Sequence, residues 1–185
     1  MKKLAAQDRQ ALIKLASGLK PGSPERVAIL AGLTKQSNDE VNIPGKHILG
    51  NAVVSGNAVV SGDARVYGRS WVFGDAKVYD KAEVFGDAQM YDRAHVYGGA
   101  KVYGNAFVYD RAHVSGDAKV SGRAHVYGKA RVFGDAKVFG RARVFGAKLY
   151  GKADISGTAV ILGGDWDGSE GPITSGRWKA PGVPA

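Results

Sequence analysis

From residue 51 to residue 146, apolar and polar positions recur every six residues through sixteen hexads without an insertion. Typical units are Asp75-Ala76-Lys77-Val78-Tyr79-Asp80 and Asp135-Ala136-Lys137-Val138-Phe139-Gly140. A five-residue unit at 147–151 lacks the first position, and two further hexads end at Gly163. Across these nineteen units the second position is Ala except at Ser70, and the fourth is Val except at Met90, Leu149, Ile155 and Ile161. The sixth is Gly except at Asp80, Asp92 and Asp110.

Side chains alternate sides along an extended chain, so positions two and four share one side and positions three and five the other. Ala and Val therefore face inward. Gly at position six and a polar residue at position one make the corner, where the chain must reverse on a permissive backbone. One strand-plus-corner cannot bury its inner side alone. Stacked coils can, each pairing with the next through a parallel ladder about 4.8 Å away.

The pattern resembles the hexapeptide-repeat family, in which an aliphatic residue is followed four positions later by a small one, as in Val78 to Ala82 and Val138 to Ala142. The resemblance covers residues 51–163 and implies an all-β solenoid, a left-handed parallel β-helix with three hexads per coil. Nineteen units then give about six coils, roughly 29 Å of prism at strand spacing.

The flanks read differently. Residues 1–33 predict a short helical hairpin, with Ser23-Pro24 as an N-cap and first-turn proline and Lys20-Pro21-Gly22 as the connecting turn. Residues 34–50 read as a linker and first-coil cap, and 164–185, rich in Gly and Pro, as a C-terminal tail that caps or crosses the last coil. The segment 19–26 resembles a short helical leader of phage-encoded proteins. With the low-variety repeats, that resemblance implies a structural or interaction protein, in a virion, with the N-terminal helices as a protein-partner site. Met1-Lys2-Lys3-Leu4 lacks the apolar core of a signal peptide, so the alternative expected location is the cytoplasm.

Three hexads per coil stack residues 18 apart and make three faces. Face one carries Val53, Trp71, Gln89, Phe107 and His125 at position three, with Phe73, Tyr91, Tyr109, Tyr127 and Phe145 at position five. Face two carries Val59, Lys77, His95, His113, Arg131 and Lys148, and face three Arg65, Glu83, Lys101, Lys119, Lys137 and Asp154. Aromatics hold position five in thirteen of nineteen units, including all eight Tyr. Rings stacked at strand spacing protect the corners; the sharper alternative is a surface on which sugars or bases stack. A face as apolar as face one calls for a cover. The family implies a parallel homotrimer, with Trp71, Phe73, Tyr91, Phe107 and Tyr109 at the subunit interface.

Charge refines the picture. The chain's formal charge is +9, unevenly spread: residues 51–110 hold six Lys/Arg against seven Asp/Glu, and residues 111–152 hold ten against two. Lys and Arg on a solenoid guard against edge pairing. On face two, however, Arg93, His95, Arg111, His113, Lys129, Arg131 and Lys148 form a stripe with Asp75 as its one acid at positions one or three. That stripe predicts a polyanion-binding surface.

Enzymes of the resembling family are often acyltransferases that use a His base in a cleft at a trimer interface, and this is the alternative reading. They generally build the cleft from a loop extruded from a coil, whereas here the hexads run unbroken. His95, His113 and His125 sit at position three, in repeat register, with no visible pocket or orienting partner. The γ-class carbonic anhydrases of the family bind zinc through His residues. His95 and His113 are 18 apart, but a third ligand at suitable spacing is missing, and catalytic zinc needs three. The reading therefore assigns no catalytic residue, no metal and no cofactor. Cysteine is absent, which removes disulfides and thiolate chemistry, and no apolar run approaches the ~18 residues of a membrane span.

Overall fold

A computed structural model describes residues 48–179, with Lys14 the one described position upstream. The chain divides into two units, Met1–Asn42 and Ile43–Ala185, and the repeats belong to the second. The expected helical hairpin over 1–33, its role as a partner site, and most of the 34–50 linker lie outside the described residues.

Each repeat contributes one strand of two or three residues beginning at position three, such as Lys101–Val102 and His125–Tyr127. The strands form three parallel sheets of eight, seven and six strands, one per face. Pairing runs between residues one coil apart: Phe107 opposite His125 on face one, His113 opposite Arg131 on face two, Lys119 opposite Lys137 on face three. The result is an all-β parallel solenoid of about seven turns, one more than the hexad count. The added turn comes from the tail, where Asp165–Trp166 joins face two, Ile173 bridges to Ile155 on face three, and Arg177–Lys179 extends face one.

The interior is what positions two and four predict. Every such residue from Ala64 to Val144 is completely buried, Met90 included. Each buried Val contributes on the order of 1.5–3 kcal/mol, and its β-branched side chain suits the pleated inner wall. Ser70 occupies an Ala position, and its hydroxyl donates to the Tyr67 carbonyl at 2.9 Å. At the C-terminal end Trp166 takes a Val position, is 2% exposed, and donates its indole N–H to the Gly163 carbonyl. Trp178 packs edge-on against it at 6.2 Å.

Corners are left-handed at position six. The three exceptions to Gly hold the same conformation: Asp80, Asp92 and Asp110 have φ of 61°, 60° and 60°. A short polar side chain tolerates this region by hydrogen-bonding locally. Here the bond goes along the stack, to the amide of the corner one coil on: Asp80 accepts from Gly98, Asp92 from Asp110, and Asp110 from Gly128 at 2.9 Å. The five-residue unit leaves the ladder intact, because Arg131 stays opposite Lys148 and the lost residue comes out of the corner. Among the described residues no helix is long and apolar enough to cross a membrane.

Candidate functional site

On face two, position three places Lys77, His95, His113, Arg131 and Lys148 directly opposite one another on successive strands. Arg93, Arg111 and Lys129 stand exposed along the adjoining corner. The structure thus brings together the seven residues of the expected stripe, and their details differ. The His95 and His113 rings stack at 4.8 Å, with the edges of Tyr79 and Tyr97 against them. Burial pushes both imidazoles below their ordinary value, with His113 and Lys77 adding to it at His95, and Arg131 at His113. Both are therefore neutral at pH 7. Lys148 is not a free cation, because its ammonium lies 3.4 Å from Asp165 and over the ring of Tyr150. Asp165 comes from the tail, which the hexad count does not reach.

Charge pairing changes along the axis. In the first half, cations meet acids on a neighbouring coil: Arg69 with Asp87 at 2.8 Å and Lys101 with Glu83 at 3.2 Å. Farther on, Arg111, Lys129 and Arg131 on face two make no ion pair among the described residues. The same holds for Lys119 and Lys137 on face three, and for Arg123, Arg141 and Arg143 around face one. The cationic surface therefore girdles turns four to six instead of running down one face. The face-one members are signalled in the sequence by the same period: one step of 18 beyond His125 reaches Arg143, and the corner column 87, 105, 123, 141 holds the other two.

Face three also carries a shallow groove of about 380 Å³ bounded by Asp117, Lys119, Asp135, Lys137, Lys152 and Asp154. Its charges are mixed, and one Asp154 carboxylate oxygen is buried in it without a hydrogen-bond partner.

The aromatic columns are real ladders. On face one, Phe73, Tyr91, Tyr109 and Tyr127 stack at 4.9–5.1 Å with planes within 12°. Burial, then Tyr127 and Asp110, push the Tyr109 phenol up to about 12. Within such a ladder each ring face is already against its neighbour, so an unbroken run presents only ring edges to a ligand. That disfavours the sugar- or base-stacking alternative wherever the ladder is continuous. Of the five expected interface residues, Phe73 and Tyr91 are already buried within the chain, at 9% and 4% exposure. Trp71, Phe107 and Tyr109 are half-buried and retain area to give. His125 stacks on Phe107 at 4.7 Å, and burial, with Arg143, lowers its pKa.

Two ladders are interrupted in the fourth turn. Ser115 separates Tyr97 from Phe133 on face two, and Ser121 separates Tyr103 from Phe139 on face three.

The histidines thus lie against rings and cations, and among the described residues none is hydrogen-bonded to a carboxylate. No group of three or more His, Cys, Asp or Glu with metal-holding geometry occurs among the described residues. Compared with protein-family models, curated proteins and solved structures, the chain matches none.

Proposed function

We propose that the chain is a non-enzymatic interaction scaffold whose fourth to sixth turns bind a polyanion. The carrying observation is the change in charge pairing. The same repeat that sets Glu83 against Lys101 sets Lys119 against Lys137. Like charges opposed across a ladder repel, and salt softens the cost at an exposed surface. An anionic partner turns that cost into attraction. The coil spacing of about 4.8 Å does not match the ~3.4 Å rise between phosphates of a DNA strand, so attachment is electrostatic and without sequence reading. A virion-associated role rests on the resemblance of residues 19–26.

Heparin and duplex DNA titrated against wild type and Arg111→Glu/Arg131→Glu test the reading. Wild type should bind, lose affinity steeply with salt, and exceed the double variant by at least tenfold. Equal affinity, or no binding at low salt, overturns it. Acidification should strengthen binding only below the ordinary histidine value of about 6.5, because burial holds His95 and His113 lower. The same window should weaken the fold. A depressed folded-state histidine pKa gives stability that is complete above the unfolded value and is lost as pH falls through the folded one.

A homotrimer joined along face one is the second part of the proposal, supported by half-buried Trp71 and Phe107 on alternate strands either side of Gln89. Light scattering should give three chain masses for wild type and one for Trp71→Glu/Phe107→Glu. A wild-type mass of one chain removes the trimer and leaves the polyanion reading intact.

A further inference from the structure

The ring ladder of face three stops where the repeat would continue it. Tyr67, Phe85 and Tyr103 stack at 4.8 and 5.0 Å, with planes 1° and 3° apart. The next rungs are Ser121, Phe139 and Ser156. Phe139 consequently has no ring partner among the described residues, and it is 39% exposed. Tyr103 and Phe139 therefore stand two strand spacings apart, about 10 Å. A planar ring held midway lies about 5 Å from each, the offset spacing that the ladder's own rings adopt.

The floor and flanks of this slot are polar. The Ser121 backbone is spent, its N–H donating to Val138 at 2.9 Å and its carbonyl accepting from Ala124 at 3.3 Å. Its hydroxyl has no hydrogen-bond partner among the described residues. Lys119 and Lys137 lie on one side at position three, and Arg123 and Arg141 on the other along the corner. All four are exposed and without an ion pair among the described residues. Two open ring faces explain one half of a ligand, and cations on both flanks explain the other.

We propose that the Ser121 slot binds a nucleotide unit, the base entering as the missing rung between Tyr103 and Phe139 and the phosphate resting on the flanking Lys and Arg. Base–aromatic stacking supplies affinity with little choice among bases. Guanidinium and ammonium groups supply charge-assisted contacts to phosphate. The break at Ser115 on face two has the same width and is the internal control: His113 and Arg131 stand where Lys119 and Lys137 flank Ser121, and Asp117 and Asp135 stand where Arg123 and Arg141 do, so the phosphate meets one cation and two acids in place of four cations. Lys119, Lys137, Arg123 and Arg141 also belong to the polyanion surface, but polyanion binding needs no ring, so the two readings separate at the slot.

The test is calorimetric titration of the full chain with adenosine monophosphate, ribose 5-phosphate and a short oligodeoxyadenylate. Wild type should bind the mononucleotide saturably and ribose 5-phosphate at least tenfold more weakly. Ser121→Phe fills the rung and should lose mononucleotide affinity at least tenfold while keeping heparin binding and an undiminished Tm. Ser115→Phe should leave mononucleotide affinity unchanged. Phe139→Ala, which removes one wall without adding bulk, should also lose it and serves should Ser121→Phe not fold. Arg111→Glu/Arg131→Glu should lose heparin and keep the mononucleotide, so the two proposals fail separately. Equal affinity for mononucleotide and ribose 5-phosphate, or unchanged mononucleotide binding in both slot variants, overturns the inference. Tighter binding of the oligomer than of the monomer identifies a single strand as the source of the nucleotide, and equal binding a free one.

Discussion

Val102→Asp abolishes the folded solenoid. Val102 is fully buried in the middle of the stack, opposite Val84 on one coil and Val120 on the next. The surrounding interior is Ala and Val with Met90 in the same coil, and none of these offers a polar group to receive a carboxylate. Burying it without a partner costs several kcal/mol whether it stays ionised or takes up a proton, against a total stability of about 5–15 kcal/mol for an ordinary domain. Each coil touches only its neighbours, so a defect in the middle also severs the two halves. Far-UV circular dichroism and thermal melting check the outcome: the expected variant has neither a β spectrum nor a cooperative transition. A normal melt would mean that position four does not line the interior.

The second large effect is at a corner. Gly122 has φ of +67°, and a Cβ there would lie 2.9 Å from both the amide nitrogen and the carbonyl oxygen of Gly140 one coil on. Neither is the end of a flexible side chain, so the stack itself must open. Gly122→Ala therefore combines the left-handed cost of about 1–2 kcal/mol with a backbone clash, for a total of about 3 kcal/mol or more. Gly146 makes the contrast, since its φ is +62° and a Cβ there meets nothing within 4 Å. Gly146→Ala should cost only the conformational part. Melting should separate the two, with Tm falling on the order of 10 °C for Gly122→Ala and by a few degrees for Gly146→Ala. Equal shifts would mean that the corner clash does not exist.

Much of this fold was legible because the hexad writes its own geometry. Val78 and Val96 are opposite each other because they are 18 apart and inward-facing, and the three faces follow from counting. Counting fails where the period does. The tail beyond Gly163 has no hexads, so its further turn and the Asp165 that pairs with Lys148 were invisible. Asp80, Asp92 and Asp110 were visible as exceptions, but their role is a bond to the coil ahead, which no local reading of a corner supplies. The cationic surface was seen on one face only. It wraps three because Arg123 and Arg141 belong to a corner column and Arg143 to the lower part of a face whose upper part is apolar. The burial of Phe73 and Tyr91 within the chain depends on more than repeat register, and periodicity alone left them exposed.

The uniform interior has an evolutionary corollary. Apart from Ser70 and Met90, Ala at position two and Val at position four are the same on all three walls of the sixteen hexads, so most of the core does not record which hexad belongs to which face. Inserting or deleting a single hexad would leave every inward contact satisfied, yet it would advance the whole downstream exterior by one wall. Lys119 and Lys137 would then slide beneath a different column, and after a deletion Arg131 would stack under apolar neighbours. An 18-residue change would lengthen the prism and keep the walls in phase. Replication slippage in so repetitive a coding sequence should therefore be tolerated by folding at multiples of six and by surface function only at multiples of eighteen. The uninterrupted run of sixteen hexads preserves that phase through the turns that carry the unpaired cations.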